Sequence, residues 1–420
     1  MPVSPVVIIG AGHAGVRLAA ALRTASPPPN IILLDQDEAF PYERPPLSKE
    51  ILKDGPEASV RLYKDEFYAE QGINLMRGCA ATRINRRLRT VELADGRQIP
   101  YSRVVVATGA RARKLPVPGA SLNNVYMLRT LADAQDIHRG ISQSMRVVVV
   151  GGGYIGLEVA AAAAAAGRDV TIIEAQDRLM KRVTGEHVSR HFEYLHRLHN
   201  VKILLQTGVA ELRGADSVER VIAQDGSAHP ADLVVVGIGV QPNDEIARAS
   251  GLACEDGVLV NAQFRTEDPD VYAIGDVARS PNEEGTGSLR LESVQNASAQ
   301  ALAVADDILG IRSVKHEVPW FWTTQYGVRL QTAGLLHGHD QAVVRGSMES
   351  GRFAVLYLKE NRLIAIDNVG TLKDFMIGKK LIASRAILDI EKAVEPDIKL
   401  ADTVTVFDET HAHLQGGSVK

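Results

Sequence analysis

Along the chain, runs of β-branched apolar residues repeatedly end in glycine and give way to small residues. The first is VVIIGAGHAGVRLAAAL, where the run meets Gly10, Gly12 and Gly15 before apolar positions resume at helical intervals. This pattern predicts a strand, a tight turn and a helix. A second stretch, RVVVVGGGYIGLEVAAAAAAAG, repeats it at Gly151, Gly153 and Gly156, so a weak internal repeat is visible. A third, TEDPDVYAIGDVA at 266–278, predicts a short strand ending at Gly275 and Asp276, and lacks the glycine spacing of a dinucleotide turn. Between them lie strand-like VVVATGA at 104–110 and DLVVVGIGVQPN at 232–243, with Asp-Gly turn signals at 95 and 225. The order predicts an α/β fold with two doubly wound domains. From about Val318 the texture changes. PWFWTTQYGVRLQTAGLL, VVRGSM, FAVLYLK and RLIAIDNVG form a strand meander, and DFMIGKKLIASRAIL follows with helical spacing, which together predict a third, α+β domain.

Composition narrows this picture. A chain of 420 residues is too long for one core. Its net charge of −4 argues against nucleic acid or an anionic membrane as the main partner. With only Cys79 and Cys254, a disulfide framework or a four-cysteine metal site is excluded, and a reducing cytoplasm fits best. The N-terminus runs directly into a strand without the pattern of a signal peptide, and no apolar run approaches membrane-spanning length, which predicts a soluble protein. The twelve histidines include HAH at 411–413 and HGH at 337–339, clusters expected to be solvated loops, so no metal site is expected.

The first glycine turn carries specific chemistry. Gly10 permits the bend, Gly12 removes a side chain that would block a pyrophosphate, and Gly15 lets the helix pack on the sheet. Phosphates would then face unpaired N–H groups at a helix N-terminus. Asp35 ends NIILLDQD 20 residues beyond Gly15 and is placed to accept from an adenosine ribose; His13, inside the turn, is expected to face away from the phosphates. At the second turn, Glu174 ends DVTIIEA 18 residues past Gly156. A carboxylate there favours a free 2′-hydroxyl and predicts NAD over NADP, although Arg178, Lys181 and Arg182 follow it. Ala160 to Ala166 predict close packing of helix on sheet. Glu158, two residues past the last glycine, could serve helix-dipole complementarity or chemistry.

These motifs, with ATGA at 107–110 and GIGVQPN at 237–243, resemble the two-nucleotide flavoprotein fold of glutathione reductase and its relatives. RPPLSKEIL, LRT at 128–130, ESVQNA at 292–297 and PWFW at 319–322 are similar to the NADH-dependent ferredoxin reductases of putidaredoxin reductase type, which serve cytochrome P450s and aromatic-ring oxygenases. The resemblance covers nearly the whole chain. It implies an FAD-binding domain of residues 1–111 and 243–319, an NAD-binding domain of 112–242 and a C-terminal domain of 320–420. By matching positions, Gly12, Ala14 and Asp35 hold the ADP half of FAD, Lys49 the flavin region, Ala81 the adenine side, Arg129 the pyrophosphate, Asp276 the ribityl chain and Val294 the pyrimidine end of the ring. Gly10, His13, Gly15, Ala107, Thr108, Gly109, Gly275 and Ser293 belong to the same FAD-lining motifs, and Trp320 is the candidate ring at the flavin edge where an iron–sulfur partner docks. For NAD, the implied set is Gly151, Gly153, Tyr154, Ile155, Gly156, Glu174 and Gly239, with Glu158 beside the nicotinamide. The sequence departs from the family at Thr324, where an acidic residue is common.

On this resemblance, Lys49 and Glu158 are the charged pair beside the two rings, orienting the flavin and partly neutralising each other. The implied activity is NADH:ferredoxin reduction, with electrons arriving as a hydride and leaving singly to a small iron–sulfur ferredoxin. Basic stretches are candidates for steering it: RINRRLRT (Arg83, Arg86, Arg87, Arg89) and Lys379 with Lys380. Disulfide reductases place their cysteines where Phe40 and Pro45 stand here, and Cys79, in a strand-like segment, and Cys254 lie outside that motif. An NADH oxidase and a redox-sensing flavoprotein resembling apoptosis-inducing factor remain the alternatives. Monomer and homodimer both stay open.

Overall fold

The computed structural model describes residues 4–55, 60–282, 287–311, 317–370 and 372–406. They pack as two units, one of residues 1–43, 59–111 and 240–315, the other of residues 44–58, 112–239 and 316–420.

In the first unit, Val6–Ile9 is the centre of a parallel sheet of five strands. In spatial order these are Val271–Ala273, Arg103–Val106, Val6–Ile9, Ile31–Leu34 and Ile73–Met76. All four residues of Val6–Ile9 are buried, which is why this strand is continuously apolar rather than alternating. One face packs on the helices His13–Leu22 and Val294–Ile308 through Leu18, Leu22, Ala301 and Val304. The other packs on Ile84, Val91, Leu93 and Ile246.

The second unit repeats the plan. Its parallel sheet runs Lys202–Leu204, Asp169–Ile173, Arg146–Val150, Leu233–Val236 and Val125–Met127. The repeat extends to the hairpins marked by Asp-Gly. Thr90–Leu93 pairs with Gln98–Pro100, and Arg220–Ala223 with Ala228–Pro230. In both, glycine takes positive φ (Gly96 +86°, Gly226 +85°) and the preceding aspartate accepts from the backbone N–H two residues on. Both carboxylates lie below their usual range, first because a side chain donates to them: Arg97 to Asp95 and Ser227 to Asp225.

Also in this unit, an antiparallel sheet runs Trp320–Gln325, Val328–Gly334, Arg362–Val369, Arg352–Lys359 and Gln341–Ser347, packed against the helix Leu372–Ala383 through Leu356, Ile366, Phe375 and Leu381. The predicted α/β class with a C-terminal α+β portion is therefore the observed one. Details differ. The strand Val271–Ala273 ends before Gly275, which opens a 3₁₀ turn over Gly275–Val277, and Cys79 lies in the loop between Ile73–Met76 and Ala81–Asn85 rather than in a strand. Among the described residues no helix is long and apolar enough to cross a membrane, and no three His, Cys, Asp or Glu side chains converge on a common point. The HAH stretch at 411–413 lies outside the described residues.

Candidate functional site

The two glycine turns are built alike, atom for atom where it matters. Gly10 has φ +111°, and a Cβ there would lie 2.3 Å from the Ala107 carbonyl oxygen; Gly151 has φ +108°, with a Cβ 2.4 Å from that of Gly237. At Gly15 and Gly156 the added carbon would lie 1.9 and 2.1 Å from the carbonyl oxygens of Gly10 and Gly151. Those four positions are glycine because backbone passes backbone. Gly12 and Gly153 are different: each caps its helix in ordinary extended conformation, and a Cβ would meet nothing within 4 Å. Open space before a helix N-terminus, whose first N–H groups have no partner within the helix, fits a pyrophosphate in both units.

The acidic strand ends match as well. Asp35 Oδ2 accepts from Ala11 N at 3.2 Å and Oδ1 from Asp37 N at 3.1 Å; Glu174 Oε2 accepts from Gly152 N at 2.5 Å and Oε1 from Gln176 N at 2.7 Å. Each carboxylate is thereby locked onto the turn it serves. Around the first turn, Ala107 N donates to Ile9 O, the Thr108 hydroxyl donates to the carbonyl of Asn243, and Gly109 takes φ +65°. Gly275 donates to the buried Gln300 amide, and a Cβ on it would crowd Ala14 at 3.1 Å. The carbonyl of Asp276 accepts from Arg290, Ser293 caps the helix that Val294 begins, and Ala81 opens a strand paired with Leu93. His13 is the first residue of the first helix. These residues fit an FAD site in the first unit.

In the second unit, Tyr154 and Ile155 begin the helix after the turn, and Gly239 (φ +99°) lies against the Arg182 guanidinium. The other two basic residues after Glu174 are engaged elsewhere. Arg178 donates to the Thr184 carbonyl and the Ser189 hydroxyl, and Lys181 pairs with Asp177. Burial pushes the Tyr154 phenol well above its ordinary range, so it stays protonated.

Lys49 and Glu158 also meet here. Pro45–Ser48 is a short 3₁₀ helix that presents Lys49, whose Nζ lies 2.8 Å from Glu158 Oε1 and 3.2 Å from the Pro45 carbonyl oxygen. Glu158 is 5% exposed, and a carboxylate so placed needs every acceptor site filled. The Ser48 hydroxyl donates to Oε2, and the Thr323 hydroxyl donates to Oε1 at 2.6 Å. Beside this group, the Arg129 carbonyl accepts from Arg44, and Arg129 itself precedes a capping box made by Thr130 and Asp133.

Sequence reasoning missed several members of the surroundings. Ser48 sits inside the quoted RPPLSKEIL beside Lys49. His196 carries a clearer signal, because it falls four residues after Phe192 and eight after Val188 on the buried stripe of the helix Glu186–Leu198. A polar ring on an apolar stripe needs a partner. Its Nε2 lies 2.8 Å from Gln325 Oε1, whose amide nitrogen lies 3.2 Å from the Thr323 hydroxyl. Asp367, fully buried, accepts from the hydroxyls of Thr184, Thr332 and Tyr357, and Thr332 in turn bonds the Tyr154 phenol.

The aromatic cluster is half-buried. Trp320 lies 5.4 Å from Trp322 and 5.6 Å from Phe375, with Lys379 Nζ 5.8 Å from its ring centre. In RINRRLRT, Arg86 pairs with Asp268 and Glu267, and Arg89 with Asp270, so half of that patch is neutralised within the unit.

Known proteins resemble the chain over nearly its whole length. Residues 4–301 match the pyridine nucleotide-disulphide oxidoreductase family, and residues 320–404 match the reductase C-terminal family. A ferredoxin–NAD(P)+ reductase of Sphingomonas sp. is 43% identical over 91% of this chain and 94% of its own length. Putidaredoxin reductase of Pseudomonas putida is 41% identical over 90% and 92%. The crystal structure of a covalent putidaredoxin reductase–putidaredoxin complex matches with a TM-score of 0.92 at 39% identity, covering 95% of this chain and 98% of that one. Such membership implies FAD and NAD(P)H. The chain belongs to the pyridine nucleotide-disulphide oxidoreductase family, in its ferredoxin reductase branch.

Proposed function

We propose that this protein is an FAD-dependent NADH:ferredoxin reductase that serves a cytochrome P450 or an aromatic-ring oxygenase through a small iron–sulfur ferredoxin. Residues 1–111 and 243–319 hold FAD, 112–242 hold NAD, and 320–420 form the C-terminal domain. Bound FAD supplies the chemistry: it takes two electrons as a hydride and gives them up one at a time.

The observation that carries this reading is the absence of sulfur from the segment leading to Lys49. Phe40 and Pro45 occupy the positions where disulfide reductases keep their cysteines, and the Phe40 ring is instead covered by Arg77 at 3.9 Å and Arg61 at 4.8 Å. Neither cysteine of the chain substitutes for them. Cys79 accepts from Arg97 beside the Asp95 hairpin, and burial pushes the Cys254 thiol up to about 11, which keeps it protonated and inert. Without a thiol relay, electrons leave to an outside one-electron carrier.

The residues of the chain bind and orient. Gly12 and Gly153 leave room for two pyrophosphates, while Asp35 and Glu174 receive ribose hydroxyls. With Arg178 and Lys181 engaged elsewhere, Glu174 disfavours a 2′-phosphate, and this supports NADH over NADPH. Lys49 and Glu158 hold the charge balance beside the hydride transfer. Lys379 over Trp320 offers cation and aromatic surface to an acidic ferredoxin. Two free cysteines fit a reducing, cytoplasmic setting.

Anaerobic rapid mixing of the FAD-loaded protein with NADH, followed by addition of ferredoxins from the same source, tests the proposal. Rapid flavin bleaching and subsequent ferredoxin reduction are expected. Bleaching that no iron–sulfur protein reverses would remove the assignment, and a preference for NADPH would overturn the role given to Glu174.

A further inference from the structure

The Thr323 hydroxyl that donates to Glu158 is the last link of a hydrogen-bonded chain within the second unit. Thr323 Oγ1 lies 3.2 Å from Gln325 Nε2, Gln325 Oε1 lies 2.8 Å from His196 Nε2, and His196 Nδ1 lies 3.1 Å from the Tyr326 hydroxyl. Thr323, Gln325 and His196 are each no more than 1% exposed, so water does not compete for these groups. His199 stacks on the Tyr326 ring at 3.7 Å and closes the outer end.

Each of these groups can donate in only one direction at a time, and this couples their orientations. If the Gln325 amide nitrogen points at Thr323, the hydroxyl proton of Thr323 is free for Glu158. Gln325 Oε1 then requires a proton on His196 Nε2, and the bare Nδ1 takes the proton of Tyr326. Every donor points toward Glu158. In the opposite sense, Thr323 would donate to Gln325, and the 2.6 Å contact between Thr323 and Glu158 would need a proton on the glutamate. That proton would sit on Oε1, the oxygen that already faces the Lys49 ammonium at 2.8 Å. The ion pair therefore selects the inward sense. Burial holds the His196 imidazole at about 4, so it is neutral and has one tautomer to choose.

We propose that Gln325 and His196 are positioning residues for flavin reduction: through Thr323 they hold a fixed donor on Glu158, which keeps its carboxylate oriented toward Lys49. This rests on the reading that Lys49 and Glu158 act beside the hydride transfer. Alignment of successive donors strengthens each bond in such a chain, and the helix Glu186–Leu198 holds its histidine, His196, in place.

Two substitutions separate orientation from packing. Thr323→Val keeps the shape of the side chain and deletes the donor on Glu158. Gln325→Leu deletes both bonds of the amide but leaves the Thr323 proton free for Glu158. In anaerobic stopped-flow mixing with NADH, the limiting rate of flavin reduction should fall about tenfold in Thr323→Val at unchanged KM for NADH, and about threefold in Gln325→Leu. Equal losses, or a loss confined to KM, would overturn the proposal. Should Thr323→Val fail to fold with FAD, Thr323→Ala deletes the same donor. It should show the same tenfold loss, and an unchanged limiting rate there would refute the idea. A second readout does not depend on turnover. Nitrogen-15 NMR of histidine-labelled protein, with the His196 signals assigned by their loss in His196→Gln, should show a neutral ring protonated at Nε2; protonation at Nδ1 would overturn the inward sense. If NADH does not reduce the wild-type flavin, the functional reading fails, while the tautomer still decides whether the chain exists.

Discussion

Lys49 Nζ lies 2.8 Å from Glu158 Oε1, although the two residues come from separate segments of the second unit and Glu158 is 5% exposed. A buried pair of this kind contributes little net stability, because desolvation offsets the attraction, yet removing one partner leaves an uncompensated charge. Such an arrangement is retained for what the charges do.

Lys49→Met keeps the length and apolar stem of the side chain and deletes only the ammonium. The Ser48 and Thr323 hydroxyls still donate to Glu158, so the fold survives with some loss of stability. The variant should retain bound FAD, visible in its absorbance spectrum. Its limiting rate of flavin reduction by NADH should fall about 10–100-fold, the scale of one charge-assisted hydrogen bond. A colourless variant would instead make Lys49 an FAD-binding residue.

Asp367 makes a pH prediction. Burial raises its carboxyl above the ordinary range, opposed by the hydroxyls of Thr184, Thr332 and Tyr357 and by the Gly185 N–H. A raised carboxyl binds a proton more readily in the folded chain than in the unfolded one. Its contribution is therefore fully present below the unfolded value, about 4, and is lost as pH rises through the folded one. Asp367→Asn removes this titration. The melting temperature of the variant relative to wild type should increase from pH 5 to pH 8; a pH-independent difference would place the titration outside this range.

His196 carries the opposite sign. Burial depresses its imidazole to about 4, so the folded chain resists a proton that the unfolded chain accepts. That stability is complete above the unfolded value near 6.5 and is lost as pH falls toward 4, reaching roughly 3 kcal/mol in all. His196→Gln should cost stability at pH 7.5 through the lost contacts, and the gap to wild type should narrow at pH 5. Melting curves at the two pH values decide it, and a gap that widened on acidification would contradict a neutral buried ring.

These networks show where sequence reading stops. Gly10, Gly12 and Gly15 are legible because their spacing encodes a backbone crossing within a short segment, and the same rule finds Gly151, Gly153 and Gly156. Asp35 and Glu174 are legible because they end the next strand of the same unit. Lys49 and Glu158 lie 109 positions apart, and only the resemblance joined them before the geometry did. Gln325 and Asp367 had no such help. A glutamine in a strand beside tryptophans, or an aspartate in RLIAIDNVG, looks like a polar position on an alternating face. Its burial depends on which helix or loop covers that face, a property of tertiary packing that local periodicity does not encode.

The contrast among the glycines separates folding from binding. At Gly10, φ is +111° and a Cβ would lie 2.3 Å from backbone, so Gly10→Ala should yield insoluble or unfolded protein. Gly12 and Gly153 have φ of −77° and −82°, which any residue adopts, and their Cβ positions are open. Alanine there should fold with a circular dichroism spectrum close to wild type and fill the space assigned to a pyrophosphate. Gly12→Ala should therefore purify without FAD. Gly153→Ala should purify yellow, with KM for NADH raised about tenfold or more and a smaller change in the limiting rate of flavin reduction. The pair of phenotypes also tests which turn holds which nucleotide. If Gly12→Ala carried its full complement of FAD while Gly153→Ala lost it, the two assignments would have to be exchanged.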